Sequence, residues 1–181
     1  MRAAIASLVL LAGLAAGLWW AFRARDHRYD REIFTTARQY GLSPALVKSL
    51  VWRESGFRAD VRGRHEEIGL MQLQPGTAQE WADARRNLAF TAEHLTDPVT
   101  NLQAGCFYLT KIVRRYPRTD NPWAYALADY NAGRGNVLRW LKGAAETNSE
   151  AFLEGITFPS TQQYVRAILR QAPHYERDFQ R

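Results

Sequence analysis

Proline, set where stripes of apolar residues at helical spacing begin, constrains this chain more than any other feature. At the first position of a helix it loses no hydrogen bond and its fixed φ already suits the turn, so a proline behind a capping residue reads as a start. Ser43 and Pro44 form one such start. Pro75 opens another segment, a further one follows "DPVTN" and runs from about Asn101 to Tyr116, and another begins at Asn121 and Pro122. Ahead of these, Ile33, Phe34, Ala37 and Tyr40 give a stripe that stops at Gly41, a C-terminal signal. The last segment, from about Ser160, carries Tyr164, Val165, Ile168 and Leu169, and Pro173 is expected to kink or end it. No alternating run of β-branched residues is long enough for a sheet of any size. The fold is predicted to be mainly α.

The N-terminus differs from the rest. "AAIASLVLLAGLAAGLWWAF", Ala3 to Phe22, carries no charge and matches the roughly 20 residues that a helix needs to cross a bilayer. Trp19 and Trp20 end it and Arg23 and Arg25 follow, as where a helix leaves hydrocarbon for headgroups. A cleaved signal peptide is the competing reading, with Gly13 to Ala15 a passable cleavage site. Cleavage there would leave Leu18, Trp19 and Trp20 exposed, so residues 1–25 are read as a transmembrane signal anchor and 26–181 as one globular domain. Counting Arg2 against Arg23, Arg25, Arg28 and Arg31, the positive-inside rule would leave the domain in the cytoplasm, against the function argued below. Cys106 has no partner cysteine and is read as filling a helix face.

Net charge is +6, which suits a polyanionic partner. The arginines are scattered, and no basic run interleaves with aromatics as a nucleic-acid groove requires, so nucleic acid is not an expected partner. The four histidines are dispersed, and "HEEIG" lacks the second histidine of the zinc motif HExxH, so neither metal nor cofactor is expected.

Glu54 is the residue that calls for a functional explanation. Stepping back from it at helical spacing meets Leu50 and Val47, with Val51 alongside, so this carboxylate sits on a face that should meet a core. It lies in the last turn, where the helix dipole disfavours negative charge, and its apolar neighbours desolvate it. Both effects raise its pKa toward the range of a general acid. The competing reading is a salt bridge with Arg53, Arg58 or another arginine at the end of the helix.

Five motifs settle the expectation. "ESGF" (54–57), "GLMQLQPGTA" (69–78), "DPVTNLQAGCFYL" (97–109), "DYNAGRGNV" (129–137) and "TQQYVRAIL" (161–169) occur in one order. Together they resemble the lytic murein transglycosylases of the soluble-lytic-transglycosylase type, over about Tyr29 to Arg170. The resemblance implies a lysozyme-like catalytic domain. It places the acid/base on Glu54, a cleft-lining position on Gln72 with Met71 beneath it, residues beside the acid on Tyr130 and Asn131, and a tyrosine approaching the acid on Tyr164. Gly63 stands where the family usually has serine, "RHEEI" (64–68) replaces small residues, and Ser160, Gln162 and Asp129 also depart from the pattern.

The resemblance implies peptidoglycan glycan strands as substrate, the inner membrane as partner through residues 3–22, and a catalytic domain in the periplasm. Envelope or secretion machinery is a further candidate partner. Two other readings stand beside it: a hydrolytic muramidase, with Glu66, Glu67 or Asp129 as second carboxylate, and a wall-binding module without activity. The glutamates of the charged loop are expected to be solvated or paired with Arg62 or Arg64.

Overall fold

The computed structural model describes residues 24–180, together with Gly13, Leu14 and Gly17. Apart from those three residues, the proposed membrane segment Ala3 to Phe22 lies outside the described residues. Among the described residues no helix is long and apolar enough to cross a membrane.

From Asp30 onward the α-helices in chain order are α1 (Asp30–Gln39), α2 (Pro44–Ser55), α3 (Pro75–Ala84), α4 (Pro98–Val113), α5 (Pro122–Ala132), α6 (Arg134–Trp140), α7 (Ser149–Gly155) and α8 (Pro159–Glu176). Short 3-10 turns lie at Ala92–Thr96, Gly143–Glu146 and Arg177–Phe179. Proline opens α2, α3, α4, α5 and α8. Side-chain oxygens cap three of these: Ser43 accepts from the Leu46 amide at 3.4 Å, Asp97 from Thr100 at 2.8 Å and Asn121 from Trp123 at 3.2 Å. Because Asp97 is the cap, α4 begins at Pro98 rather than near Asn101.

Pro173 does not end the last helix, which continues through it to Glu176. Tertiary packing holds the turn beyond it: Tyr175 is buried and its ring meets Phe57 edge-on, with centroids 6.4 Å apart. α6 and α7 are too short to carry a long apolar stripe, so residue spacing alone does not mark them.

α2 is the axis of the molecule. It packs along α8, which also packs on α5, while α1 and α5 flank α4. Val47, Leu50 and Val51 of α2 have no exposed surface. Burying each of these side chains contributes on the order of 1.5–3 kcal/mol before entropy is counted. Lys48, also on α2, is buried too; its ammonium lies 2.5 Å from Asp30 and 2.7 Å from Asp178, tying α1 and the C-terminal turn to the core.

The segment between α2 and α3 is irregular. Its extended pairing amounts to two isolated antiparallel bridges, Arg62 with Ile68 and Ile68 with Leu73. Asn101, buried in α4, fixes it: its amide nitrogen donates to the carbonyls of Ile68 at 2.8 Å and Leu95 at 2.9 Å, and its oxygen accepts from the Met71 amide at 2.8 Å. Gly69 has φ +81, and a Cβ there would fall 2.3 Å from the Leu95 carbonyl oxygen. Only glycine fits both demands.

Candidate active site

A cleft of about 550 Å³ opens between the end of α2, the irregular segment behind it and the end of α5. Glu54, Glu67, Gln72, Thr77, Tyr108 and Asn131 are among the residues that line it. Gly56 ends α2 in the left-handed region at φ 56, which stops the helix just past Glu54 and leaves the carboxyl at the cleft.

Burial raises the Glu54 pKa from 4.5 to about 7; the Tyr164 hydrogen bond and the Arg53 charge oppose this, and the Glu67 charge adds to it. The Tyr164 hydroxyl, on α8, donates to Glu54 Oε1. Arg53 lies over the Tyr164 ring, 5.4 Å from its centroid. Burial and the Glu54 charge both push the Tyr164 hydroxyl well above its ordinary pKa, so it remains a donor at physiological pH. The result is a carboxyl that holds its proton near neutrality, in one orientation, facing an open cleft.

The other residues expected at the site divide. Gln72 lines the cleft, with its backbone at φ 46 and its amide nitrogen held by the carbonyls of Val61 at 3.1 Å and Gly69 at 2.9 Å. Asn131 lines it too, and its oxygen accepts from Thr161 at 2.8 Å. Met71 does not reach the cleft. Its side chain is buried, and a Cβ on Gly105 of α4 would come within 2.2 Å of its sulfur. Tyr130 lines the cleft but donates its hydroxyl to the Met71 carbonyl at 2.6 Å rather than to Glu54. Tyr130 thus fixes the loop that carries Gln72, and Tyr164 alone of the expected neighbours bonds the acid.

Asp129 is not a spare acid. Arg115 and the Tyr116 hydroxyl hold its Oδ2 at 2.8 and 2.7 Å. Glu66 is exposed, with φ 66. Glu67 differs from the expected solvated glutamate: Arg62 pairs instead with Glu93 at 2.6 Å, and Glu67 lines the cleft. The sequence signal for this is the glycine at position 63, whose missing side chain leaves the space that the Glu67 carboxylate fills. Asn101, inside one of the quoted motifs, also has a role that spacing did not reveal, because its partners are carbonyls 6 and 33 residues away and an amide 30 residues away.

A family model described as the transglycosylase SLT domain matches residues 31–153, most of the chain. The chain belongs to that family. This SLT domain is 30% identical over 171 residues to the soluble lytic murein transglycosylase of Salmonella typhimurium, covering 93% of this chain and 26% of that protein. It is 31% identical over 121 residues to the membrane-bound lytic murein transglycosylase C of Shigella sonnei, covering 64% of this chain and 34% of that protein. Among solved structures it resembles an inactive glutamate-to-glutamine mutant of the lytic transglycosylase Slt from Pseudomonas aeruginosa. The TM-score is 0.77 at 29% identity, over 84% of this chain and 24% of that one. The chain spans about a quarter to a third of the length of these curated relatives.

Proposed function

We infer that this SLT domain is a lytic transglycosylase that cleaves peptidoglycan between N-acetylmuramic acid and N-acetylglucosamine, leaving 1,6-anhydro ends. The observation that carries the reading is Glu54: a carboxyl at the cleft whose pKa is lifted to about 7 by burial and whose orientation is set by Tyr164. The names of the relatives support the reaction class.

Glu54 donates its proton to the glycosidic oxygen as the bond from C1 of N-acetylmuramic acid breaks, releasing the N-acetylglucosamine hydroxyl. The acetamido oxygen of the same muramic residue stabilises the cation that develops at C1. Glu54, now a carboxylate, takes the proton of the muramic C6 hydroxyl as that oxygen bonds to C1. The acid is restored and no water is consumed. Gln72 and Asn131 supply polar contacts along the cleft, and Tyr164 keeps the carboxyl aimed at the bond. Met71 acts through the backbone that Tyr130 and Asn101 hold in place.

A hydrolytic muramidase is the second reading, and one observation favours it: Glu67 puts another carboxylate in the cleft, where a hydrolase needs its nucleophile or base. Asp129, bound to Arg115 and Tyr116, does not serve that role. For location we infer an inner-membrane anchor formed by residues 3–22 and a periplasmic catalytic domain, supported by the uncharged run, its terminal tryptophans and a membrane-bound relative. Action beside an envelope or secretion machine fits the same placement.

Glu54→Gln tests the assignment of the acid. The amide keeps the shape of the side chain and cannot donate a proton of useful acidity, so turnover of purified sacculi should fall by about 10²–10⁴-fold or more while the fold and sugar binding persist. Turnover within a few-fold of the parent would remove Glu54 from the mechanism.

A further inference from the structure

The charged loop behind α2 folds back on itself. The Gly63 amide donates to the Glu67 carbonyl at 2.7 Å, and the His65 amide donates to Glu67 Oε2 at 2.9 Å. This turn brings the Glu67 carboxylate over Gly63, so that a Cβ on Gly63 would lie 2.1 Å from Glu67 Oε2 and 3.0 Å from Gln72 Oε1. Glu67 therefore fills the volume in which a side chain at position 63 would stand. That volume belongs to the cleft, since Glu54, Glu67 and Gln72 all line it.

We propose that Glu67 is a positioning residue for the reaction inferred above: its carboxylate, seated over Gly63 in the same cleft, adds like-charge repulsion to the burial that keeps Glu54 protonated until substrate arrives. The proposal rests on the transglycosylase reading. A negative charge in the same cleft disfavours ionisation of a neighbouring carboxyl. Glu54 is the carboxyl whose pKa is raised, first by burial, and the Glu67 charge adds to that rise.

The other groups that face Glu54 leave this role open to Glu67. Arg53, beside it on α2, acts in the opposite direction, as does the hydrogen bond from Tyr164 of α8. Tyr130 of α5 has its hydroxyl committed to the Met71 carbonyl. Asp129, the acid on α5, is matched by Arg115. Among these groups only Glu67 brings negative charge toward the acid. The lack of a side chain at position 63 and the glutamate at 67 thus form one device. Any side chain on residue 63 would push the carboxylate aside without removing its charge.

The test is the pH dependence of kcat/KM, measured with the full chain on uncross-linked peptidoglycan strands, alongside the chemistry of the new ends. Glu67→Gln should move the basic limb down by at least about 0.3 pH unit, a twofold loss of the protonated fraction above the limb, with anhydro ends still formed. Gly63→Ala, which displaces the carboxylate and keeps its charge, should move the limb in the same direction. Adding it to Glu67→Gln should move the limb no further. A limb that stays in place in Glu67→Gln, with rates lowered by one factor at every pH, would mean that Glu67 serves only the loop's structure and would overturn the proposal. Reducing ends from the parent would instead overturn the transglycosylase reading beneath it.

Discussion

At the scale of single residues, Glu54 ties chemistry to stability. Its carboxyl has a folded pKa of about 7, set first by burial, against an ordinary value of 4.5. Between those values the native state binds more protons than the unfolded one, so this residue makes stability fall as pH rises through that window. Fully charged, it costs about 3 kcal/mol. Glu54→Gln should therefore be more stable than the parent in urea titrations at pH 8, and the gain should fade toward pH 4.5. An equal difference between the two proteins at both pH values would mean that the acid is not held in the strained state that burial implies. The activity has the same origin: a proton donor with this pKa loses about tenfold in kcat/KM per pH unit above 7.

At the scale of elements, the C-terminal turn is held to the core by charge. Lys48 is buried on α2 and its ammonium rests between Asp30 and Asp178, with the rings of Tyr175 and Phe179 at 4.7 and 5.6 Å. The double change Asp30→Asn and Asp178→Asn leaves that ammonium buried without its carboxylate partners. Equilibrium unfolding should show a loss of about 3–5 kcal/mol, with little change in the product ends. A loss under about 1 kcal/mol would mean that the apolar contacts alone hold the turn. Helix starts were legible in the sequence because proline and its caps act within a few residues, as at Ser43 and Asp97. Glu54 was legible for the same reason, since its apolar face is a matter of helical spacing. The places where sequence reasoning fell short are tertiary. Pro173 sits inside α8 because Tyr175 packs on Phe57, Met71 is core because Gly105 makes room for it, and Glu67 reaches the cleft through a turn with Glu66 at positive φ.

At the scale of the whole molecule, a chain of net charge +6 joins a helical domain to an uncharged run from Ala3 to Phe22. The full chain is expected to fractionate with the inner membrane, and its domain should be open to protease only once the outer membrane is breached. Recovery of a shortened, freely soluble chain from cells would identify the run as a cleaved signal. The positive charge favours approach to an anionic wall polymer, and salt should slow that approach. The central claim is that one protonated carboxyl, in a cleft shaped by α2, α5 and the loop between α2 and α3, cuts the glycan without water. Mass spectrometry of sacculi digested by the full chain tests it most directly. The account predicts muropeptides ending in 1,6-anhydro-N-acetylmuramic acid, absent when Glu54 is changed to Gln; reducing ends, or no new ends at all, would contradict it.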